Sequence, residues 1–299
     1  MAYESLAKVY DKIMREDVDY GEWARYTDSL FCESDIRGNK ILDLGCGTGG
    51  ITLEMSKLGR EMSGVDISEE MIAEAKKKFA AENIDVKLYQ QDISALTVEE
   101  KFHGAMATFD TFNYLCDRAK LLNALKNIHA ALEVGGVLVF DYNTRFKLAD
   151  ILGDNTYTYY SDETVYIWEN EYNPNTQICK MQLTFFLREQ DDLYVRREEI
   201  HRQRAYSLAQ WKKLLKESGF TFLHAYDQLS TEKVIKESFE EKIFVTEILA
   251  DAECGFPYDG AKECYILDIE NRTLVAEVIP ILVEITSLPK PKKKKTAEE

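Results

Sequence analysis

The sequence lacks the features that define several protein classes. Nowhere do 18 apolar residues follow one another, and the first residues carry charges throughout, so we expect neither a membrane span nor a secretory leader. The six cysteines form no C-x-x-C pair, and their spacings match neither a disulfide framework nor a zinc site. We therefore expect reduced thiols, no metal site and a soluble, cytoplasmic protein.

Positive charge is also scarce. The chain carries 37 basic and 53 acidic residues, a formal charge of -16, which disfavours binding along the phosphates of nucleic acid. The longest run of basic residues lies in the tail KPKKKKTAEE, whose composition is typical of a solvated, disordered end. The expected partner is a small molecule, and neither nucleic acid nor a membrane is expected.

Strands and helices alternate over the first half of the chain. Two amphipathic helices, 3–14 and 21–32, precede a strand KILDLG, and helical segments separate the later strands EMSGVDI, VKLYQQD, GAMATFD and VLVFDY. Ser68 is expected to cap the helix after the second strand, and Gly135 and Gly136 to end the helix before the fifth. This order predicts a parallel, doubly wound α/β sheet with its ligand beyond the carboxyl ends of the strands.

The pattern changes after residue 155. Residues 176–188 alternate between apolar and polar, with antiparallel neighbours expected at 163–172 and 193–205, before a capping box at Ser207 and Gln210 starts another helix. Strands near 220–227 and 241–247 would complete the first sheet. The predicted organisation is a helical lid (1–37), a core (38–154 and 206–247), an antiparallel meander (155–205) and an extension of unassigned role (248–299). The apolar face of the meander either packs on the core, as a substrate cap, or forms a homodimer surface.

The loop ILDLGCGTGG fits two ligand templates at once. Gly45, Gly47 and Gly50 match G-x-G-x-x-G, whereas Gly45, Gly47 and Gly49 match G-x-G-x-G. Asp43 discriminates between them, because it lies at the carboxyl end of the first strand, two residues before the first glycine. A carboxylate there repels a pyrophosphate and attracts an ammonium group.

Two further carboxylates end the next two strands. Asp66 follows Asp43 by 23 residues, a position suited to accepting both hydroxyls of a ribose. Asp92 follows the third strand, where its carboxylate would accept from the exocyclic amine of adenine while the Ile93 N–H donates to the ring. An ammonium, a ribose and an adenine at three consecutive strand ends describe S-adenosylmethionine.

The segments ILDLGCGTGG, GVDIS and QQDIS resemble the three cofactor motifs of the class I S-adenosylmethionine-dependent methyltransferases, which have a Rossmann-like seven-stranded sheet. YDKIM and FDTFNYL extend the resemblance to a bacterial small-molecule subset. The resemblance implies that Tyr10 closes over the amino-acid end of the cofactor and that the Phe109 carbonyl accepts from its ammonium. The expected cofactor-binding residues are Tyr10, Asp43, Gly45, Cys46, Gly47, Asp66, Ile67, Met71, Gln91, Asp92, Ile93 and Phe109.

The expected reaction is in-line transfer of a methyl group to a nitrogen or oxygen atom of a small polar acceptor, which depends mainly on positioning. In EEIHRQRAY, strand alternation places Glu199 and His201 on one side, so His201 is either a general base oriented by Glu199 or a structural histidine. Arg204 either recognises an acidic group of the acceptor or pairs with the protein's own carboxylates. The expected acceptor contacts are Asn113, Tyr114, Tyr142, Asn143 and Arg204.

Three other functions fit parts of the sequence. An NAD-dependent oxidoreductase would use the longer glycine template. A non-catalytic module would keep the cofactor fold for an interaction through residues 248–299. An RNA methyltransferase would be tethered by the lysine tail, although the net charge argues against it.

Overall fold

The computed structural model describes residues 7–34, 36, 38–190, 193–227, 229 and 241–247. The predicted extension over 248–299, with its lysine tail, lies outside these residues. The helices are α1 (Ala7–Asp17), α2 (Tyr20–Glu33), α3 (Gly50–Lys57), α4 (Glu69–Glu82), α5 (Arg118–Ala131) and α6 (Leu208–Glu217). The strands are β1 (Lys40–Leu44), β2 (Glu61–Asp66), β3 (Lys87–Gln90), β4 (Phe102–Ala107), β5 (Leu132–Asn143), β6 (Thr156–Tyr160), β7 (Thr164–Asn173), β8 (Ile178–Gln190), β9 (Leu193–Arg204), β10 (Thr221–Asp227) and β11 (Glu241–Glu247).

The main sheet has seven strands in the order β10-β11-β5-β4-β1-β2-β3. Strands β1 to β5 pair in parallel, and β11 runs antiparallel to both β5 and β10. This confirms the predicted doubly wound, Rossmann-like sheet. From β1 the chain passes outward to β2 and β3 and then crosses to β4 on the other side of β1, so the topological switch point lies at the carboxyl ends of β1 and β4.

Helices cover both faces of this sheet. Leu125 of α5 and Trp211 of α6 are buried on one face, and Phe31 of α2 and Met55 of α3 are buried on the other. A sheet that is covered on both faces has strands that are apolar almost throughout, as β1 and β4 are. Within the described part of the chain, none of the helices is both long and apolar enough to cross a membrane.

The meander forms a separate four-stranded antiparallel sheet in the order β6-β7-β8-β9. Its three longer strands were predicted, and Cys179, Met181 and Phe185 are buried on the expected face of β8. Cys179 and Met181 pack against Leu148 and Leu152 of a π-helical segment, Phe146–Leu152. Neither this segment nor β6 was predicted from the sequence.

The prediction that Gly135 and Gly136 end a helix is wrong. Helix α5 ends at Ala131, and Leu132 is already extended, with φ -90° and ψ 150°. Both glycines lie inside β5, where the pairing with β4 shifts by three residues, from Phe102 opposite Leu132 to Gly104 opposite Val137. A Cβ atom at Gly136 would lie 2.8 Å from the Glu133 carbonyl oxygen. These glycines therefore allow a strand irregularity, as in a β-bulge.

Candidate active site

A cavity of about 640 Å³ opens at the carboxyl ends of the parallel strands. Its walls come from the turn after β1, the ends of β2 and β3, the turn after β4, and helices α1 and α2. The volume suits one small ligand and lies where doubly wound sheets bind theirs. The structure brings all the predicted cofactor residues to this cavity: Tyr10, Asp43, Gly45, Cys46, Gly47, Asp66, Ile67, Met71, Gln91, Asp92, Ile93 and Phe109.

The turn after β1 needs its glycines. Gly45 and Gly47 have φ values of +72° and +54°, which L side chains rarely adopt. A Cβ atom at Gly45 would lie 2.6 Å from the Thr111 side chain, whereas one at Gly47 would meet nothing within 4 Å. The backbone at Gly47 is therefore open toward the cavity, so a ligand can approach it closely.

Asp43 carries an unsatisfied buried oxygen. The residue is 2% exposed, and its Oδ2 accepts a 2.5 Å hydrogen bond from the Thr52 hydroxyl. Its Oδ1 has no hydrogen-bond partner within the described residues. Burial raises the pKa of Asp43 to about 7, and the nearby charge of Asp66 adds to the shift. A cation entering the cavity would satisfy this oxygen and stabilise the carboxylate, so the site fits a ligand with an ammonium group.

The other two carboxylates are held by backbone amides. Asp66 accepts from the Gly47 and Ser68 amides, both at 2.8 Å. Burial raises the pKa of Asp66, and these amides oppose the shift. Asp92 accepts from the Ser94 amide at 2.8 Å and caps a short 3-10 helix, Ile93–Ala95. A carboxylate has about four lone-pair sites, so each of the two side chains is fixed in place and still able to bind a ligand.

Helices α1 and α2 cover one side of the cavity. Asp11 of α1 accepts from the Thr48 hydroxyl and pairs with Lys78 of α4, which ties α1 to the glycine loop. From α2, Tyr20 and Trp23 place their rings 5.9 and 5.1 Å from that of Phe109. Burial raises the pKa of the Tyr10 phenol well above its usual value, and the neighbouring Tyr20 and Tyr114 add to the shift.

Phe109 and Asp110 form an unusual turn after β4. Both are non-glycine residues in the left-handed region, with φ of +57° and +55°. The Asp110 amide donates to the buried Asp141 carboxylate at 2.8 Å. Two such residues in succession cost of order 1–3 kcal/mol each, and strain of this kind concentrates at functional sites.

Among the predicted acceptor contacts, Tyr114 lines the cavity and Asn113 does not. The buried Asn113 amide group donates to the carbonyl oxygens of Asn143, at 3.0 Å, and Arg204, at 2.9 Å, and accepts from the Asn143 amide at 2.9 Å. The Asn143 side chain donates to Asp110 and Gln203. Asn113 and Asn143 thus join the turn after β4 to the ends of β5 and β9.

The other two predicted acceptor contacts also lie away from the cavity lining. Tyr142 is 2% exposed, and its ring centroid lies 5.4 Å from that of Trp211 in the core. Arg204 donates to the Cys116 carbonyl oxygen at 3.0 Å and lies over the ring of Tyr206. The expectation that Tyr142, Asn143 and Asn113 project toward the methyl position is therefore not met by the geometry.

His201 lies behind the cavity wall. Its side chain is 3% exposed and does not line the cavity. Its Nε2 lies 3.0 Å from Glu199 Oε2, and its Nδ1 lies 3.1 Å from the Tyr114 hydroxyl oxygen. The predicted pairing of His201 with Glu199 is present, and Tyr114 stands between the histidine and the cavity.

Several lining residues were not predicted. Thr48 and Gly50 belong to the glycine loop, and Thr111 and Leu115 to FDTFNYL, so their membership of a motif was an available signal. Tyr20 and Lys120 come from helices without such a motif. Nothing in the periodicity of those helices points to a ligand.

Known proteins share this fold and part of this sequence. Residues 41–136 match a family model described as "Methyltransferase domain". A protein of Geobacillus sp. (strain WCH70) that is named as a methyltransferase is 33% identical over 248 residues, 83% of this chain and 100% of that protein. The crystal structure of an S-adenosylmethionine-dependent methyltransferase from Clostridium acetobutylicum ATCC 824 matches with a TM-score of 0.76 and 33% identity, over 84% of this chain and 100% of that one.

A sugar N-methyltransferase from Streptoalloteichus sp ATCC 53650 has a TM-score of 0.65 at 17% identity, over 81% of this chain and 93% of that one, and shows the fold alone. The fold and the site together define a Rossmann-like enzyme that binds a nucleoside with a cationic head. The chain belongs to the class I S-adenosylmethionine-dependent methyltransferases. Its cofactor is S-adenosylmethionine, so the NAD-dependent interpretation of the glycine loop is wrong.

Proposed function

We propose that this enzyme transfers the methyl group of S-adenosylmethionine to a nitrogen or oxygen atom of a small polar acceptor by in-line displacement. One observation carries the proposal: a single cavity is lined both by the three strand-end carboxylates and by Tyr114. The bound cofactor supplies a methyl group on a sulfonium, which is an excellent leaving group. The protein contributes mainly position and exclusion of water.

The three carboxylates would bind three successive parts of the cofactor, in the order in which they occur along the chain. Asp43, with its unsatisfied Oδ1, binds the ammonium group. Asp66, fixed by two amides, accepts from the ribose hydroxyls, and Asp92 accepts from the adenine amine while the Ile93 amide donates to the ring. The carbonyl of Phe109, in its strained turn, is a second acceptor for the ammonium.

Helix α1 would act as the lid over the amino-acid end. Its Tyr10 lines the cavity, and Asp11 is tied to the glycine loop through Thr48 and to α4 through Lys78. A lid that is anchored on the cofactor loop responds to cofactor binding directly. It would keep water away from the reacting atoms.

The acceptor class follows from charge and size. A net charge of -16 disfavours nucleic acid as the acceptor, and the cavity volume suits a small molecule beside the cofactor. Since a sugar N-methyltransferase shares this fold, amino sugars are the first acceptors to test.

The test uses the full chain and tritium-labelled S-adenosylmethionine. Amino sugars, phenols and aliphatic alcohols are offered, each beside an analogue whose reacting atom is already methylated. We expect label to reach at least one amine or hydroxyl acceptor and none of the blocked analogues. Calorimetry should show binding of S-adenosylmethionine and no binding of NAD.

Two results would contradict the proposal. Cofactor binding without transfer to any acceptor would favour a non-catalytic module, and transfer to RNA alone would replace the small-molecule acceptor. The homodimer predicted from the meander is a separate proposal. Sedimentation of the full chain as a monomer at micromolar concentration would reject it.

A further inference from the structure

We propose that Tyr114 is the catalytic residue that takes the proton from the acceptor, and that His201 and Glu199 form a buried relay behind it. The inference rests on the proposed function and deepens it. It replaces direct action of His201 on the acceptor, because His201 does not line the cavity and Tyr114 does. His201 and Glu199 are therefore positioning residues that act through Tyr114.

The three side chains form a continuous line. Tyr114, half-buried in the cavity wall, has its hydroxyl oxygen 3.1 Å from His201 Nδ1. His201 Nε2 lies 3.0 Å from Glu199 Oε2, with the two side chains 3% and 2% exposed. Charge-assisted hydrogen bonds in such dry surroundings are stronger than those in water.

The hydrogen-bonding capacity of each side chain determines which one donates and which one accepts along this line. An ionised carboxylate only accepts, so Nε2 carries the proton of a neutral His201 and Nδ1 is left to accept. The Tyr114 hydroxyl then donates to Nδ1, and a hydroxyl oxygen that donates in this way is a better acceptor for the proton of a bound substrate. The relay is thus poised to receive a proton.

The chemistry balances. Before an ammonium acceptor attacks, or as a hydroxyl acceptor attacks, the acceptor's proton passes to the Tyr114 oxygen, and the Tyr114 proton passes to His201 Nδ1. The electron pair left on the acceptor forms the bond to the methyl carbon, while the carbon–sulfur pair returns to sulfur and yields the thioether. The imidazolium that results is stabilised by Glu199 and later loses its proton to solvent.

The fold holds the relay in place through buried hydrogen bonds. Asn113, next to Tyr114, donates to the Arg204 carbonyl of β9, the strand that carries His201. Among the described residues, the imidazole contacts Glu199 on its own strand and Tyr114 from the turn after β4, and the uncharged Met181 is paired with it on β8. Tyr10 lies close enough to Tyr114 for their charges to interact.

The relay implies a class of acceptor. A group that reacts as a free base needs no proton acceptor, whereas an ammonium group or a hydroxyl must lose a proton to become nucleophilic. We therefore infer that the acceptor arrives as a protonated amine or a hydroxyl group.

The first test needs no acceptor. Imidazole nitrogen resonances are measured on the full chain with isotope-labelled histidine, in the parent, Tyr114→Phe and Glu199→Gln proteins. We expect His201 to carry its proton on Nε2, its Nδ1 signal to move in Tyr114→Phe, and its Nε2 signal to move in Glu199→Gln. A proton on Nδ1 in the neutral ring, or nitrogen signals that stay unchanged in both variants, would overturn the relay.

The second test uses whichever amino sugar, phenol or alcohol turns over in the labelled-methyl assay. We expect Tyr114→Phe and His201→Gln each to lower kcat by about 100-fold or more, with the acceptor KM within about threefold. The double variant should be no slower than the slower single variant, since the residues act as one unit. Glu199→Gln should also lower kcat, with the acceptor KM again within about threefold.

Tyr89→Phe is the matched control. Tyr89 also donates to a glutamate, Glu100 at 2.7 Å, but lies on the sheet edge and outside the cavity lining. Normal turnover in Tyr114→Phe, or multiplied losses in the double variant, would overturn the proposal. If no acceptor turns over at all, the proposed function fails, and the nitrogen resonances still decide whether the relay exists.

Discussion

The two sides of the cavity are built in different ways. On the cofactor side, each carboxylate is held by groups within 19 residues of it in the sequence: Asp66 by Ser68 and Gly47, Asp92 by Ser94, and Asp43 by Thr52. On the acceptor side, the partners are far apart in the chain. Asn113 bonds to Arg204, 91 residues away, and Tyr114 to His201, 87 residues away.

Because of this difference, different substitutions should disturb the cofactor side and the acceptor side. The cofactor side stays in place as long as the parallel sheet forms, because its groups sit at strand ends. The acceptor side requires β9 to be docked correctly on the turn after β4. A variant that disturbs the docking should therefore spare cofactor binding, and one that changes a strand-end carboxylate should spare the docking.

The largest effect is expected from Asn113→Ala. The substitution leaves three buried backbone groups without their partner, and we expect it to lower the free energy of unfolding by about 3 kcal/mol. Turnover should fall strongly, while the affinity for S-adenosylmethionine stays within about threefold. Urea unfolding and calorimetry measure the two quantities.

Asn39→Ala is the control for Asn113→Ala, because Asn39 donates one exposed hydrogen bond, to the Gly59 carbonyl oxygen. It should cost about 0.5 kcal/mol or less. If Asn113→Ala and Asn39→Ala were equally stable, the hydrogen bonds of Asn113 between β9 and the turn after β4 would contribute nothing to the free energy of unfolding.

The second-largest effect is expected from Asp43→Asn. The amide keeps an acceptor for Thr52 but loses the charge, so we expect affinity for S-adenosylmethionine to fall by about 2 kcal/mol. The ligand-free protein at pH 8 should be no less stable than the parent, because a desolvated carboxylate is removed. The exposed Asp85→Asn is the control, and a parallel loss of stability and affinity would mean that the variant misfolds.

The pH dependence of Asp43 comes third. Its pKa in the folded protein, about 7, lies above the usual value, so its contribution to stability is complete below pH ~4 and is lost as the pH rises toward 7. Cofactor binding needs the carboxylate, so affinity should fall by about tenfold per unit below pH 7. Calorimetry between pH 5 and 7 measures it, and a flat profile in the parent would contradict the assignment.

The smallest effect is expected from Lys12→Ala. Lys12 of α1 pairs with Glu163 in the turn between β6 and β7 of the meander, and both side chains are about half exposed or more. The loss should be about 0.5 kcal/mol or less, with affinity unchanged within about twofold. Asp11→Ala, which cuts the link to the glycine loop, should weaken cofactor binding measurably, and equal effects would show that α1 is not anchored on the cofactor side.

The sequence by itself determined the main sheet and the cofactor side of the cavity. Strand and helix periods define parallel βαβ units, and in such units the carboxyl ends of the strands always meet at one edge. Residue order alone thus brings Asp43, Asp66 and Asp92 together. The glycine loop could be identified for the same reason, since its turn, close approach and helix start all lie within ten residues.

Only the tertiary structure decided the acceptor side. Alternation along β9 indicated that His201 and Glu199 share a face, but not that this face meets Tyr114. Nothing in the sequence indicated that Tyr142 packs in the core against Trp211, or that the Asn113 side chain donates its hydrogen bonds to backbone carbonyl oxygens. The position of one sheet against another depends on side-chain packing and buried hydrogen bonds between distant segments, and no local period in the sequence encodes it.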